Sequence, residues 1–275
     1  MSFYTSLNGL KNAQTDLGVI SHNIANAETT GFKKSRTEFA DIVVGSAFTN
    51  PKLVVGIGSA VESITQNFAL GPIEQTGSAL DLAINGDGFF TTKNAVTGQT
   101  MFTRNGSLTV DGAGYISDGS GNRLQVFPTN ATGTITSTTP TDALIPASNG
   151  TDANGNPIKF AGIIVGSDGA VTASYADGSN VIIGKVALAS FIAPQGLKQV
   201  GSSNWVTTGI SGAPTYGQPS TGQFGSLLSG ALERSNVDIA EELVSLITAQ
   251  RNFQANAKAI DTATQISQTV IQLQT

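Results

Sequence analysis

From Asn236 to Thr275 the chain contains neither proline nor glycine. A helix of that length would run about 60 Å at ~1.5 Å per residue. That is long for a globular helix and fits a coiled-coil element or a polymer strut. Ser235 and Asn236 are N-cap candidates. Asp238, Glu241 and Glu242 put acid in the first turns, where the helix dipole favours it. The apolar residues form a narrow seam: Ile239, Leu243, Leu246, Phe253, Ala257, Ile260, Ala263, Ile266, Val270 and Leu273, with Gln250 in a skipped place. The other end of the chain carries a matching seam at Phe3, Leu7, Leu10, Leu17, Ile20 and Ile24, with Gln14 in the skipped place. Lys11, Ala13 and Asp16 are expected to point away from it.

Neither end contains a local core to bury its seam against, and narrow seams suit coiled-coil partners. Each seam is expected to pack on the other, either as an intramolecular hairpin or together with copies from neighbouring subunits. The length of the last helix and the narrowness of both seams favour the second arrangement. The candidate assembly interface is therefore Phe3, Leu7, Leu10, Leu17, Ile20, Ile24, Ile239, Leu243, Leu246, Phe253, Ala257 and Ile260.

The middle of the chain reads as β-structure. Strand-like runs cover Ala60–Ile64, Leu80–Ile84, Phe89–Thr92, Leu108–Val110, Arg123–Phe127, Phe160–Val165, Ala170–Tyr175 and Val181–Phe191. Turn pairs such as Asn105-Gly106, Asp168-Gly169 and Asp177-Gly178 separate them. The predicted fold class is α+β: a discontinuous helical coiled-coil domain built from both chain ends, plus a central, mainly antiparallel β-domain. The expected division is a helix over 1–30, a linker over 31–59, a β-domain over 60–128 and 158–209, a second linker over 210–235 and a helix over 236–275. Residues 129–157, rich in Thr, Ser, Asn, Gly and Ala, read as a surface loop or a reduced insertion with no core of its own.

Composition narrows the chemistry. There is no cysteine and a single histidine, His22, so thiolate sites and histidine metal clusters are excluded within one chain. His22 reads as a polar residue at a helix end. Only 12% of residues are charged and the net charge is −5, which argues against nucleic acid as partner. No apolar run approaches the ~20 residues of a membrane span, so no membrane insertion is expected. The start of the chain lacks the basic and apolar regions of a cleaved signal peptide. Gly56-Ile57-Gly58 and Gly112-Ala113-Gly114 lack the third glycine of a dinucleotide fingerprint. Asp152-Ala153-Asn154-Gly155-Asn156 lacks the twelfth-position Glu of a calcium loop. No cofactor, metal site or catalytic constellation is expected. A carbohydrate-binding adhesin would not need the terminal seams, and a hydrolase would need convergent acid and base groups.

Three runs carry a family resemblance. Asn23-Ile24-Ala25-Asn26 with Thr30-Gly31-Phe32-Lys33 is similar to the N-terminal signature of bacterial flagellar rod and hook proteins. Ser235-Asn236-Val237-Asp238, Glu241-Glu242-Leu243-Val244 and the run Ala249 to Lys258 resemble that family's C-terminal signature. Leu80 to Phe90, then Phe102-Thr103-Arg104-Asn105-Gly106, match it in the β-domain. His22 stands where the family more often has Asn, and the 129–157 segment is shorter than the usual outer insertion. Within the family, the short path from Asp41 to Gly56 and the runs Gly222–Gly225 and Gly230–Glu233 look most like the hook branch, with the distal rod branch as the alternative.

The resemblance implies a non-enzymatic subunit of a helical homopolymer. Its implied partners are further copies of itself, a rod protein at the proximal end, a hook cap during assembly, a hook–filament junction protein at the distal end and the flagellar export apparatus. The implied location is extracellular, in the flagellum, after export without a cleaved signal peptide.

Overall fold

The computed structural model describes residues 2–44, 55–130, 132–151 and 157–273. The calcium-like run Asp152–Asn156 and most of the path from Asp41 to Gly56 lie outside the described residues. The chain divides into two compact units. The helical unit comprises Met1–Ala27, Lys34–Asn67 and Val237–Thr275. The β unit comprises Glu28–Lys33 and Phe68–Asn236.

In the helical unit, α1 covers Ser2–Ala25 and α2 covers Ile239–Leu273, with strands β1 (Ser35–Val44) and β2 (Val55–Gln66) between them. Asp238, not Ser235 or Asn236, caps α2: its Oδ1 accepts the amide N–H of Ala240 at 2.8 Å and of Glu241 at 3.2 Å. At the end of α1, both the backbone N–H and the Nδ2 of Asn26 donate to the His22 carbonyl, satisfying an acceptor that the ending helix would leave open.

The stretch expected as an irregular linker is largely strand. β1 and β2 form an antiparallel hairpin running from Ser35 opposite Gln66 to Val44 opposite Val55. Phe39, Ile42, Val43, Ile57, Val61 and Ile64 supply the aromatic and β-branched side chains that favour it. The glycines that suggested a loop sit at a register shift between Ile42 and Val43. There Gly58 takes a φ of 120° that a side chain would resist. α1 packs against both strands, so it does have a local surface to bury against. The expected β-domain start at residue 60 therefore moves to Phe68, because 60–66 belong to this hairpin.

The β unit opens with β3 (Ile73–Gln75), β4 (Leu82–Asn85), β5 (Phe89–Asn94), β6 (Thr100–Thr103), β7 (Leu108–Val110), β8 (Ile116–Asp118) and β9 (Asn122–Phe127). It continues through β10 (Thr141–Asp142), β11 (Ser148–Thr151), β12 (Pro157–Val165), β13 (Ala170–Tyr175), β14 (Asn180–Val186) and β15 (Leu188–Ser190). It ends with β16 (Lys198–Gly201), β17 (Asn204–Val206), β18 (Thr215–Gly217), β19 (Ser226–Ser229) and β20 (Ala231–Glu233). The main sheet runs β11-β12-β13-β14-β9-β5-β6-β17-β16. Its named pairings are antiparallel, and most connect neighbours in sequence through tight turns. At Asp177-Gly178 the hairpin of β13 and β14 closes with Gly178 at φ 81°, as the dipeptide suggested.

The core has two parts. The larger gathers Ile84, Phe90, Leu124, Val126, Val171, Ala173, Val186 and Leu188 from strands across the sheet. The smaller is aromatic, with Phe89, Phe102, Phe191 and Trp205 around Ala189 and Leu197. Two regions expected outside the core contribute to it. Ala143 and Ile145, in the polar 129–157 segment, are buried in the larger cluster. The expected linker 210–235 holds β18, β19 and β20, and Leu227 of β19 is also in that cluster. β19 pairs with β4 and β20 with β3, so these short strands are held by partners far back in the sequence.

Candidate functional site: the paired chain ends

α1 and α2 pack on each other as antiparallel helices within one chain. Near one end of the pair, Gly9 faces Asn256 so closely that an added Cβ would lie 2.5 Å from Asn256 Oδ1. Near the other, Asn23 Nδ2 donates to Glu242 Oε2 at 3.3 Å. Gly9 to Asn23 and Asn256 back to Glu242 are the same number of residues, so the register is continuous between these contacts.

The buried faces differ from the expected seams in an informative way. Ala13 is buried, although it was expected to point away, and Ala249 is buried beside the skipped Gln250. These alanines fill the heptad places that Gln14 and Gln250 seemed to leave empty. Small side chains let two helices approach closely, and a search for large apolar residues passes over them. Ile20 is buried, while Leu7, Leu10, Leu17 and Ile24 are half-buried. On α2, Leu246, Phe253, Ala257 and Ile260 are half-buried on the same face as Ala249.

The remaining candidates are not on that face. Phe3 is 42% exposed, Ile239 45% and Leu243 46%. Ile239 and Leu243 join Val244 and Ile247, also exposed, in a second apolar stripe on α2. The expected seam thus splits in two: one half is used inside the chain and the other half faces outward. α2 also outruns its partner. Continuing the register places Ser2, the start of α1, beside Ala263, yet α2 runs on to Leu273. Ala263 is half-buried, and the described side chains beyond it, including Ile266 and Ile271, are exposed.

Polar residues fix the unit's geometry. Asn23 is almost wholly buried; its Oδ1 accepts the Ser35 N–H at 2.9 Å and its Nδ2 donates to the Ser35 carbonyl at 2.8 Å. One side chain therefore pairs with both backbone groups of the first hairpin residue while also reaching Glu242 on α2. Asn12 Nδ2 donates to the carbonyl and the Oγ of Ser59, both at 2.9 Å, tying α1 to β2. Lys34 and Glu241 form an exposed pair at 3.1 Å. Neither Asn12 nor Glu242 was singled out in the sequence, because nothing in their spacing distinguishes them from solvated polar residues.

The rest of the N-terminal signature lies in the β unit and serves a separate purpose there. Gly31, at φ 67°, packs its Cα against the backbone of Arg104 and Asn105, where a Cβ would come within 2.5 Å. Its N–H donates to the Glu233 carbonyl at 2.8 Å. The Thr30 carbonyl accepts Ser203 Oγ at 3.0 Å, and Phe32 is buried. Lys33 is fully buried; its Nζ bonds Glu233 Oε1 at 2.5 Å and the Ala69 carbonyl at 2.7 Å. Arg104 Nη1 bonds Glu233 Oε2 at 3.2 Å, and the Gly71 N–H donates to Glu233 Oε1. Burial pushes the pKa values of both Lys33 and Arg104 down, with the attraction of Glu233 opposing it. The cluster joins residues 33, 71, 104 and 233, so it fixes where both terminal segments enter and leave the β unit. Removing one member would strand a buried charge.

Among the described residues, no group of three or more metal-ligating side chains gathers, and no helix is long and apolar enough to cross a membrane.

Comparison with known sequences places these features. Residues 3–33 match the family described as flagella basal body rod protein. Residues 83–173 match the flagellar hook protein FlgE/F/G D1 domain, and 228–273 the flagellar basal body rod FlgEFG protein C-terminal region. The flagellar basal-body rod protein FlgG of Bacillus subtilis is 38% identical over 99% of this chain and 98% of its own length. FlgG of Buchnera aphidicola (subspecies Schizaphis graminum) is 32% identical over 99% of both chains. The flagellar hook protein FlgE of Salmonella typhimurium is 27% identical over 99% of this chain and all of its own length, in an alignment of 410 positions. The chain belongs to the family of bacterial flagellar basal-body rod and hook proteins.

Proposed function

We propose that this chain is a structural subunit that polymerises into the tubular shaft of a bacterial flagellum, without enzymatic activity. The supporting observation is the second apolar stripe on α2 together with the overhang beyond Ala263. A helix that has satisfied one face inside its own chain and keeps Ile239, Leu243, Val244, Ile247, Ile266 and Ile271 exposed has surface left for neighbouring copies. Exposed aliphatic side chains favour association by roughly 25 cal/mol per Å² of apolar area removed from water. In this reading Leu246, Phe253, Ala257 and Ile260 hold the monomer together, and Ile239, Leu243 and Phe3 serve assembly.

Within the shaft, the hook is the position proposed for it, as a flexible joint flanked by a rod protein, a hook–filament junction protein and, during growth, a hook cap. It would be delivered by the flagellar export apparatus to an extracellular location. Support comes from the compact β1–β2 hairpin, in which only residues 45–54 separate the paired Val44 and Val55. A longer segment at this place would add contacts that stiffen a tube. A second reading, the distal rod, is favoured by the 38% identity to a rod protein of nearly equal length.

Electron microscopy of tubes grown from concentrated purified protein tests both. Curved, bending tubes are expected for a hook subunit. Straight, stiff tubes would favour the rod, and a protein that stays monomeric at all concentrations would overturn the polymer itself.

A further inference from the structure

A cavity of about 260 Å³ opens in the β unit between Phe68, Phe89 and Phe191, with Arg104, Asp87 and Gln223 among its lining residues. Three features make it more than a packing gap. First, Arg104 is a charged side chain with only 3% of its surface exposed, and its Nε–H is buried without a partner. An unmet donor on a buried cation is costly, and an acceptor supplied by a ligand would satisfy it. Second, the buried charges do not balance: Lys33 and Arg104 face Glu233 alone. Asp87 attracts Arg104 but is exposed at the cavity rim and makes no ion pair with it. Third, the walls are aromatic. The Arg104 guanidinium stands 5.3 Å from the Phe89 ring centre, Phe68 meets Phe89 edge to face at 5.3 Å, and Phe89 meets Phe191 at 5.7 Å.

We propose that this cavity binds a carboxylate carried on an apolar stem, with the carboxylate accepting the Arg104 Nε–H and the stem lying against the three phenylalanines. An acceptor-only group of negative charge suits the unmet donor and the surplus positive charge. Rigid apolar walls suit a short hydrocarbon or aryl stem. The same chemistry is offered by a free carboxylic acid and by an Asp or Glu side chain of a second copy. The site lies wholly within the β unit and does not depend on the assembly reading.

The chain has one tryptophan, Trp205, and its ring centre lies 5.5 Å from that of Phe68 and 5.9 Å from that of Phe89, so its fluorescence reads the cavity wall directly. Dilute full-length protein is titrated with 3-phenylpropionate and, separately, with its neutral amide. The expected result is a saturable change with the acid and about tenfold weaker binding of the amide, the scale of one charge-assisted hydrogen bond. Asp87→Asn removes the competing carboxylate at an exposed position and should tighten acid binding severalfold without changing amide binding. Arg104→Lys keeps the charge beside Glu233 but removes Nε–H, and should weaken acid binding about tenfold. No saturable change with either compound, as a cavity that holds only water would give, overturns the proposal. So does equal binding of acid and amide, or acid binding that Asp87→Asn leaves unchanged. In parallel, slowed tube growth at saturating 3-phenylpropionate assigns the natural carboxylate to a neighbouring copy, and unchanged growth assigns it to a free acid.

Discussion

In the β unit, Ile84, Val171, Val186 and Trp205 are wholly shielded from solvent, and they belong to clusters drawn from strands across the whole sheet. In the helical unit, Ala13, Ile20 and Ala249 are the deeply buried apolar side chains of the helix pair, while Leu7, Leu10, Leu17, Leu246 and Phe253 stay half-exposed. The two units are built on different budgets of burial. A sheet meeting its own core can close within one chain, whereas two helices and a two-stranded hairpin cannot hide more than one face each. The consequence is a division of labour: the β unit is stable by itself, and the helical unit is completed by what it meets.

The largest expected effect breaks the β unit. Val171→Asp places a carboxylate where the side chain has no exposure, and should cost about 4 kcal/mol or more. The Trp205 fluorescence signal should lose its cooperative thermal transition. Retention of a wild-type melting temperature would contradict the assignment of that core.

A smaller effect is expected from the helical unit. Phe253→Ala removes a half-buried ring from the helix pair and should cost about 1–2 kcal/mol, below the range for a fully buried Phe. It should lower the melting of the helical far-UV signal while leaving the Trp205 transition in place, since Trp205 lies in the other unit. Coincident loss of both signals would show that the units unfold as one. Gly9→Leu should act in the same direction through the close approach to Asn256. Gly9→Ala should be milder, because the Asn256 side chain can swing aside.

The smallest effect is electrostatic and confined to the β unit. The hydrogen bond from Lys185 holds the Asp168 carboxyl below its ordinary value near 3.8. At Asp142 burial acts to raise the pKa, but the bonds from Gln125 and Arg123 outweigh it. Both folded values are depressed, so their contribution is present above the unfolded value and is lost as pH falls through the folded one. Asp168 is more than half exposed, so screening keeps its share below about 1 kcal/mol. Asp168→Asn should therefore flatten slightly the decline of the Trp205 melting temperature below about pH 4. An unchanged slope would mean that the pair does not persist in solution.

The comparison also explains what could be read from the residues. The long α2, the α1 seam and the strand pairs closed by Asp168-Gly169 and Asp177-Gly178 were legible, because periodicity and turn chemistry are local. The β1–β2 hairpin was not, since its glycines imitate a loop and its strands bury a face only against α1. β19 and β20 were missed because they find partners in β4 and β3, more than 100 residues earlier. The candidate site was half legible. Large apolar residues marked the helix faces, but Ala13 and Ala249 carry no hydrophobic signal of their own, and only their packing shows which face is used. The partnership of Lys33, Arg104 and Glu233 spans 200 positions and leaves no trace in spacing.

The central claim is that one face of α2 holds the monomer and the other builds the tube. It is tested most directly by the double substitution Leu243→Asp and Ile247→Asp, examined by far-UV melting at low concentration and by electron microscopy at high concentration. Both side chains are exposed in the single chain, so the account predicts a monomer that melts like the wild type and forms no tubes. Tubes of normal length and number from the doubly substituted protein would contradict it.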